Sequence, residues 1–144
     1  EIFFLGGIPR LTDFETGAPH FYYKEAGTEH WDDIPDDSAI AAHVKGKGLV
    51  VLSGCAHAGI INTVNYARSV AGTEKVFAVM GGFHLGGPDM APVIEPTVRA
   101  LQGIDPTYVI PTHCTGREAV MAVEQALPDR FILNMSGTKL TFSA

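Results

Sequence analysis

Cysteine is nearly absent from this chain: two in 144 residues, Cys55 and Cys114, with no CxxC pair. So few and so far apart, they exclude a disulfide framework, and a reducing, cytoplasmic setting is expected. Positive charge is also scarce, with 10 Lys and Arg against 16 Asp and Glu, a net charge of −6 and no basic run. That balance argues against holding nucleic acid or an anionic membrane by long-range attraction. An anionic substrate would instead need local neutralisation, for instance by a metal. No apolar stretch approaches the roughly 20 residues of a membrane span, and the opening EIFFLGG lacks the basic start and the length of a secretion signal. The chain does not begin with Met, and Ile2 to Leu5 already reads as a strand, so the polypeptide is expected to extend upstream. Also missing are a Gly-x-Ser-x-Gly elbow, a P-loop and a Gly-x-Gly-x-x-Gly fingerprint.

What is present suffices for a core. Hydrophobic residues make up 46% of the chain, which at this length implies one compact α/β unit spanning 1–144. Residues 1–48 read as irregular: a short apolar run, a turn at Gly6-Gly7, an aromatic patch (Phe21, Tyr22, Tyr23), an acidic loop over 31–37, then a strand from Ala39 to Val44. From residue 49 the pattern is βα. Gly48 to Ser53 is a continuous apolar strand, and Ile60, Val64, Ala67 and Ala71 follow at helical spacing. Lys75 to Met80 leads to a helix marked by Ile94, Val98 and Leu101, in which Pro92 suits the first turn and Pro96 predicts a bend or a later start. Tyr108 to Ile110 leads to a helix with Val120, Val123 and Leu127 on one face, and two closing strands are expected at 130–134 and 139–142.

Each of the three strand-to-helix junctions carries one histidine: His57 in Ser53-Gly-Cys-Ala-His-Ala-Gly59, His84 in Gly82-Phe-His-Leu-Gly86, and His113 in Pro111-Thr-His-Cys-Thr-Gly116. From His57 to His84 is 27 residues and from His84 to His113 is 29, about one βαβ unit each. If the three strands are parallel in one sheet, the junctions emerge at the same carboxyl edge and the three imidazoles converge there. Imidazole ligates zinc, manganese or iron, and flanking glycines permit tight turns close to a ligand. Repetition at equivalent junctions weighs more than any single histidine, which alone is usually a satisfied loop residue. Thr112 and Thr115, or backbone carbonyls, are candidates to hold the second ring nitrogens. His20, His30 and His43 lack such context and read as surface or packing residues.

Cys55 and Cys114 lie beside these histidines as candidate ligands or nucleophiles, although a small hydrophobe beneath the loop is the favoured reading. Thr115 and Gly116, at a helix start, are candidates to receive a phosphate on free backbone amides, and capping explains the threonine equally well.

Together, Gly54-Cys55-Ala56-His57-Ala58-Gly59, Gly81-Gly82-Phe83-His84-Leu85 and Pro111-Thr112-His113-Cys114-Thr115-Gly116 resemble the later motifs of the metallo-β-lactamase superfamily. More narrowly they resemble its dihydropterin β-ribofuranosyl-aminobenzene 5′-phosphate synthase-like branch, also described as metal-dependent hydrolases of β-lactamase superfamily II. Gly7-Ile8-Pro9-Arg10, Phe14-Glu15 and Asp36-Asp37 are similar to that branch too, so the resemblance covers nearly the whole chain. It implies the C-terminal part of an αβ/βα sandwich holding one or two divalent ions, zinc first and manganese or iron as alternatives. By the same resemblance His57 matches the middle histidine ligand and His113 the last. His84 stands near the place of a bridging aspartate, either as a ligand or as a catalytic residue in contact with substrate. Arg10 is a candidate for an anionic substrate group, or for a structural ion pair.

The superfamily's upstream His-x-His-x-Asp-His motif is not found in this sequence. A partial domain with an apolar sheet face covered by an N-terminal half or by a second copy is therefore expected. Three activities follow as expectations. The first is metal-assisted hydrolysis of a small, possibly phosphorylated phosphoester or acyl substrate. The second is a pterin-related transferase reaction on a phosphorylated sugar, and the third is a partner-binding fragment without catalysis of its own.

Overall fold

In the computed structural model, which describes residues 1–17 and 21–143, a five-stranded sheet carries three helices on one face. The strands are β1 (Ile2–Gly6), β2 (Tyr22–Glu25), β3 (Thr28–Trp31), β4 (Ser38–Val44), β5 (Gly48–Ser53), β6 (Val76–Gly82) and β7 (Tyr108–Thr112). The helices are α1 (Ile60–Ala71), α2 (Ala91–Ile104) and α3 (Arg117–Ala126), with single 3₁₀ turns at Pro88–Met90 and His113–Thr115. The main sheet runs β1-β4-β5-β6-β7, and β2 and β3 form a separate hairpin. β1, β4 and β5 pair antiparallel, whereas β5-β6 and β6-β7 are parallel, as the βα spacing requires. The three histidine-bearing junctions therefore leave the sheet at one edge.

Alternation along the strands divides the core. Leu5, Ala39, Ala41, Leu49, Val51, Val79 and Val109 face the helices and meet Ile60, Val64, Leu101 and Val123, all buried. The opposite face has a second apolar layer of Val50, Ala78 and Ile110.

Three expectations are corrected. The closing segment makes no strand among the described residues. It contributes one parallel bridge, Phe131 to Val109, and then lays Ile132, Leu140 and Phe142 across the outer face, where the Phe142 ring centroid lies 5.5 Å from that of Phe77. These three residues cover the sheet rather than extend it, while Leu133 and Met135 stay exposed. The first third is also more regular than its composition suggested, because Ala26-Gly27 closes the β2-β3 hairpin with both residues at positive φ. Pro96 does not start a helix: α2 begins at Ala91 and runs through it to Ile104.

The cover provided by the tail is partial. Toward β1 and β4 the outer face leaves Ile2, Phe4, Ile40 and Leu52 exposed, the first two by three quarters or more (79% and 75%). Among the described residues no helix is long and apolar enough to cross a membrane.

Candidate metal centre

Each strand-to-helix corner turns through one non-glycine residue in the left-handed region: Ala56 (φ 57°), His84 (φ 48°) and His113 (φ 52°). Such residues persist only where surrounding contacts hold them, and three at equivalent corners mark a built site. The corners also touch one another. The Thr115 hydroxyl accepts from the Phe83 amide (3.2 Å) and donates to the Thr112 carbonyl (2.6 Å), and the Gly86 amide donates to the Cys114 carbonyl (3.2 Å). Gly116 packs so closely on Gly86 that a Cβ there would lie 2.7 Å from the Gly86 Cα.

The structure sorts the candidate donors into two neighbouring sets. His57 and His84 lie together, ring centroids 4.3 Å apart, with the Phe21 ring edge-on to His57 at 5.4 Å. Both imidazoles have a buried Nδ1 with no hydrogen-bond partner. They line a cavity of about 10 Å³ with Glu15, Phe83, Leu85 and Met90. That is room for about one water-sized occupant. Burial, then the neighbouring His57, pulls the pKa of His84 down, against the opposing pull of the Asp37 carboxylate, so the neutral ring with a free lone pair is favoured.

His113 belongs to the other set. Its Nδ1 stands 3.6 Å from the Cys55 Sγ, and one donor atom each from Cys55, His113 and Cys114 lie within 4.8 Å of one another. Among the described residues this is the three-donor group that closes at that distance; His57, His84 and His113 do not form one. The Cys114 thiol donates to the Cys55 carbonyl at 3.5 Å, and burial pushes its pKa up to about 11. Neither cysteine is the fully buried hydrophobe favoured from sequence, for both are half-buried.

A network not anticipated from sequence holds the His57 corner. Arg10 donates to the His57 carbonyl at 2.7 Å and also to the Asp33 carbonyl, so its guanidinium is engaged by backbone. Asp37 accepts from the Ala58 amide (2.8 Å), and the buried Glu15 carboxylate accepts from the Ile61 and Asn62 amides (both 2.8 Å) at the start of α1. Asn62 in turn accepts from the Leu11 and Thr12 amides (both 2.9 Å). Glu15 and Asp37 carried the family resemblance in sequence without a role; their burial was the missing signal.

The other candidates fall as follows. The Thr115 hydroxyl is committed to Phe83 and Thr112, and Gly116 borders an open cleft of about 510 Å³ with Gly86, Gly87, Arg117 and Glu118. His30 stacks on Tyr23 in the hairpin, His43 is exposed on β4, and His20 lies outside the described residues.

No family model matches the chain. It is 36% identical over 121 residues to the 7,8-dihydropterin-6-methyl-4-(β-D-ribofuranosyl)-aminobenzene-5′-phosphate synthase of Methanocaldococcus jannaschii, covering 82% of this chain and 40% of that protein. It is 30% identical over 125 residues to the uncharacterized protein MJ0448 of the same organism, covering 87% and 44%. Among solved structures it matches Tm1679, a metal-dependent hydrolase of the β-lactamase superfamily, with a TM-score of 0.79 and 29% identity over 99% of this chain and 54% of that one. This chain belongs to the metallo-β-lactamase superfamily. It spans less than half the length of the curated relatives it matches.

A metallo-β-lactamase fold implies a divalent metal, and the residues here fit one. Two buried Nδ1 atoms stranded around a cavity of about one water are what ring nitrogens look like when their expected partner is an ion. The thiols and imidazole of the neighbouring set are ligand chemistry as well.

Proposed function

We propose that this chain contributes the metal site of a metal-dependent hydrolase acting on a small phosphoester or acyl substrate. His57, His84 and His113 are its candidate donors, for one or two divalent ions, with zinc favoured over manganese or iron. The observation that carries the reading is the pair of buried, unpartnered Nδ1 atoms of His57 and His84, on rings 4.3 Å apart at a strained sheet edge. A divalent ion held there supplies Lewis acidity and makes hydroxide available from water near neutral pH.

The chain's own residues do the rest. Arg10 fixes the His57 carbonyl and so orients the ring, while Phe21 walls the pair from one side. His84 is kept neutral by burial, ready to donate its lone pair or to meet substrate. The open cleft at Gly116 and Arg117 suits the anionic part of a substrate, next to the amino end of α3. The exposed apolar residues Ile2, Phe4, Ile40 and Leu52 support a covering surface, from further polypeptide or a second copy, as part of the working enzyme.

Metal analysis tests this reading. The purified chain is expected to retain stoichiometric divalent metal, and His57→Ala and His84→Ala are each expected to weaken its retention about tenfold or more, with turnover of an aryl phosphate ester falling in parallel. Unchanged metal content in the double variant would sink the proposal. A second reading, favoured by the 36% identity to the ribofuranosyl-aminobenzene phosphate synthase, is transfer chemistry on a phosphorylated sugar. Product formation from a ribose phosphate donor and an aminobenzene acceptor, without ester hydrolysis, would select it.

A further inference from the structure

We propose that Cys55 and Cys114 are a redox-active dithiol, which closes to a disulfide across the end of β6 by exchange with a small disulfide of the glutathione class and reopens in excess thiol. The proposal goes beyond the hydrolase reading and does not rest on it, since that reading uses neither sulfur.

Proximity is the first support. The two cysteines stand 59 positions apart in the chain, yet the Cys114 thiol donates to the Cys55 carbonyl at 3.5 Å, and the two Sγ atoms lie within 4.8 Å of each other. Rotation between staggered positions about the Cα–Cβ bonds swings each sulfur through an arc, and such rotations carry the pair toward a bond of about 2.05 Å.

The backbone is the second support. Cys55 comes from the corner after β5 and Cys114 from the turn after β7, and β6 ends beside both as Gly82. A Cβ on Gly82 would lie 2.7 Å from the Cys114 Sγ and 3.1 Å from the Cys55 Cα, so glycine keeps clear the space in which the sulfurs meet. Both thiols are half-buried, which leaves them open to a small reagent. In a chain too poor in cysteine for a disulfide framework, a pair so placed fits a transient bridge rather than a structural one. The bridge would tether the corner leading into His57 to the residue that follows His113, so oxidation would act on two ligand-bearing corners without consuming a ligand atom.

The exchange balances in two steps. One cysteine sulfur attacks the small disulfide, forms a mixed disulfide with half of it and releases the other half as a thiol. The second cysteine then attacks the protein sulfur of that mixed disulfide and releases the second half. Two protons and two electrons thus pass from the protein thiols to the small disulfide, which leaves as two thiols.

Glutathione is the probe. The wild-type chain is equilibrated anaerobically with mixtures of reduced and oxidised glutathione, quenched in acid and read by intact mass. The closed form, lighter than the dithiol by two hydrogens and free of glutathione, is expected to exceed the glutathione-capped form at least about tenfold, because closure within the folded chain is unimolecular. In denaturant that preference should fall about tenfold or more, since the thiols then meet only through a long flexible loop. Cys55→Ser and Cys114→Ser should each stop at one glutathione adduct, and excess reductant should return the wild type to the dithiol. The wild-type series is decisive without any variant. A folded chain that takes up glutathione without closing, or that stays reduced in mixtures that close the denatured chain, overturns the proposal, as does a preference equally large in denaturant. The two readings fail separately: a chain that closes but never retains metal would lose the hydrolase reading and keep this one, and metal retained by a chain that cannot close would do the reverse.

Discussion

Gly81→Ala is expected to destabilise the fold by at least about 3 kcal/mol, a fall of roughly 10 °C in Tm for a domain of this size. Gly81 closes the parallel pairing of β6 with β5, opposite Ser53, with φ at 120°, a conformation that residues with a Cβ rarely adopt. An added Cβ would lie 2.2 Å from the Ser53 carbonyl oxygen and 2.6 Å from its hydroxyl. Ser53 has little freedom to yield, because it is buried and its hydroxyl donates to the Gly82 carbonyl at 2.8 Å. The two strands would have to part at the point where β6 delivers His84. Gly103→Ala is the control. It lies inside α2 with open space around its Cα, so alanine there should raise stability by up to about 1 kcal/mol through backbone entropy and helix propensity. Thermal unfolding followed by circular dichroism checks both, and a Gly81→Ala protein melting within a degree or two of wild type would contradict the account.

The same glycines show what the sequence could and could not disclose. Gly81-Gly82 looked like turn residues after a strand ending at Met80, yet the strand runs through Gly82. Apolar periodicity stops at Met80, whereas hydrogen bonding continues for two residues whose missing side chains let Ser53 and Cys114 approach. The three βα units were legible because each pairs a run of strand length with a 3.6-residue stripe, a signal that depends only on local order. Three histidines at one edge follow from that topology and could be foreseen. How they divide could not, because it depends on side-chain direction: His57 and His84 turn toward each other, while His113 turns to Cys55. Nor did sequence disclose that the Arg10 guanidinium is occupied by backbone carbonyls 23 and 47 positions away, a pairing that exists only once the loop has folded over α1. The closing segment misled for a related reason, since an apolar alternation fits residues that cover a sheet as well as residues that join one.

Glu15→Ala is expected to cost about 3 kcal/mol, because it strands two buried backbone donors at once. The Ile61 and Asn62 amides, in the first turn of α1, both end on this carboxylate, and the Thr12 hydroxyl donates to it at 3.0 Å. Glu15 thereby does the work of a cap for a helix whose own N-cap, Gly59, has no side chain to offer. Gly59 is held to glycine in return, since a Cβ there would lie 2.2 Å from the Glu15 carboxyl carbon. Glu15→Gln keeps the shape but turns an amide NH₂ toward one of the two donors, so about half of the loss is expected. The two variants also separate on pH. Burial holds the Glu15 carboxyl above its ordinary value of 4.5, outweighing the hydrogen bonds that pull it down. The folded state therefore keeps a proton that the unfolded chain has released. This contribution is complete below the unfolded value and is lost as pH rises through the folded one, so the deficit of Glu15→Gln relative to wild type should be widest at the acid end of a series from about pH 4 to 7 and narrow upward. A deficit that instead grows with pH would mean that the ionised carboxylate is the favoured partner of α1. Because His57 precedes Gly59 by two residues, loosening this cap should also loosen the histidine corner. Glu15→Ala studied well below its melting point is therefore expected to bind metal several-fold more weakly while keeping every candidate ligand, which distinguishes a positioning role from simple loss of fold.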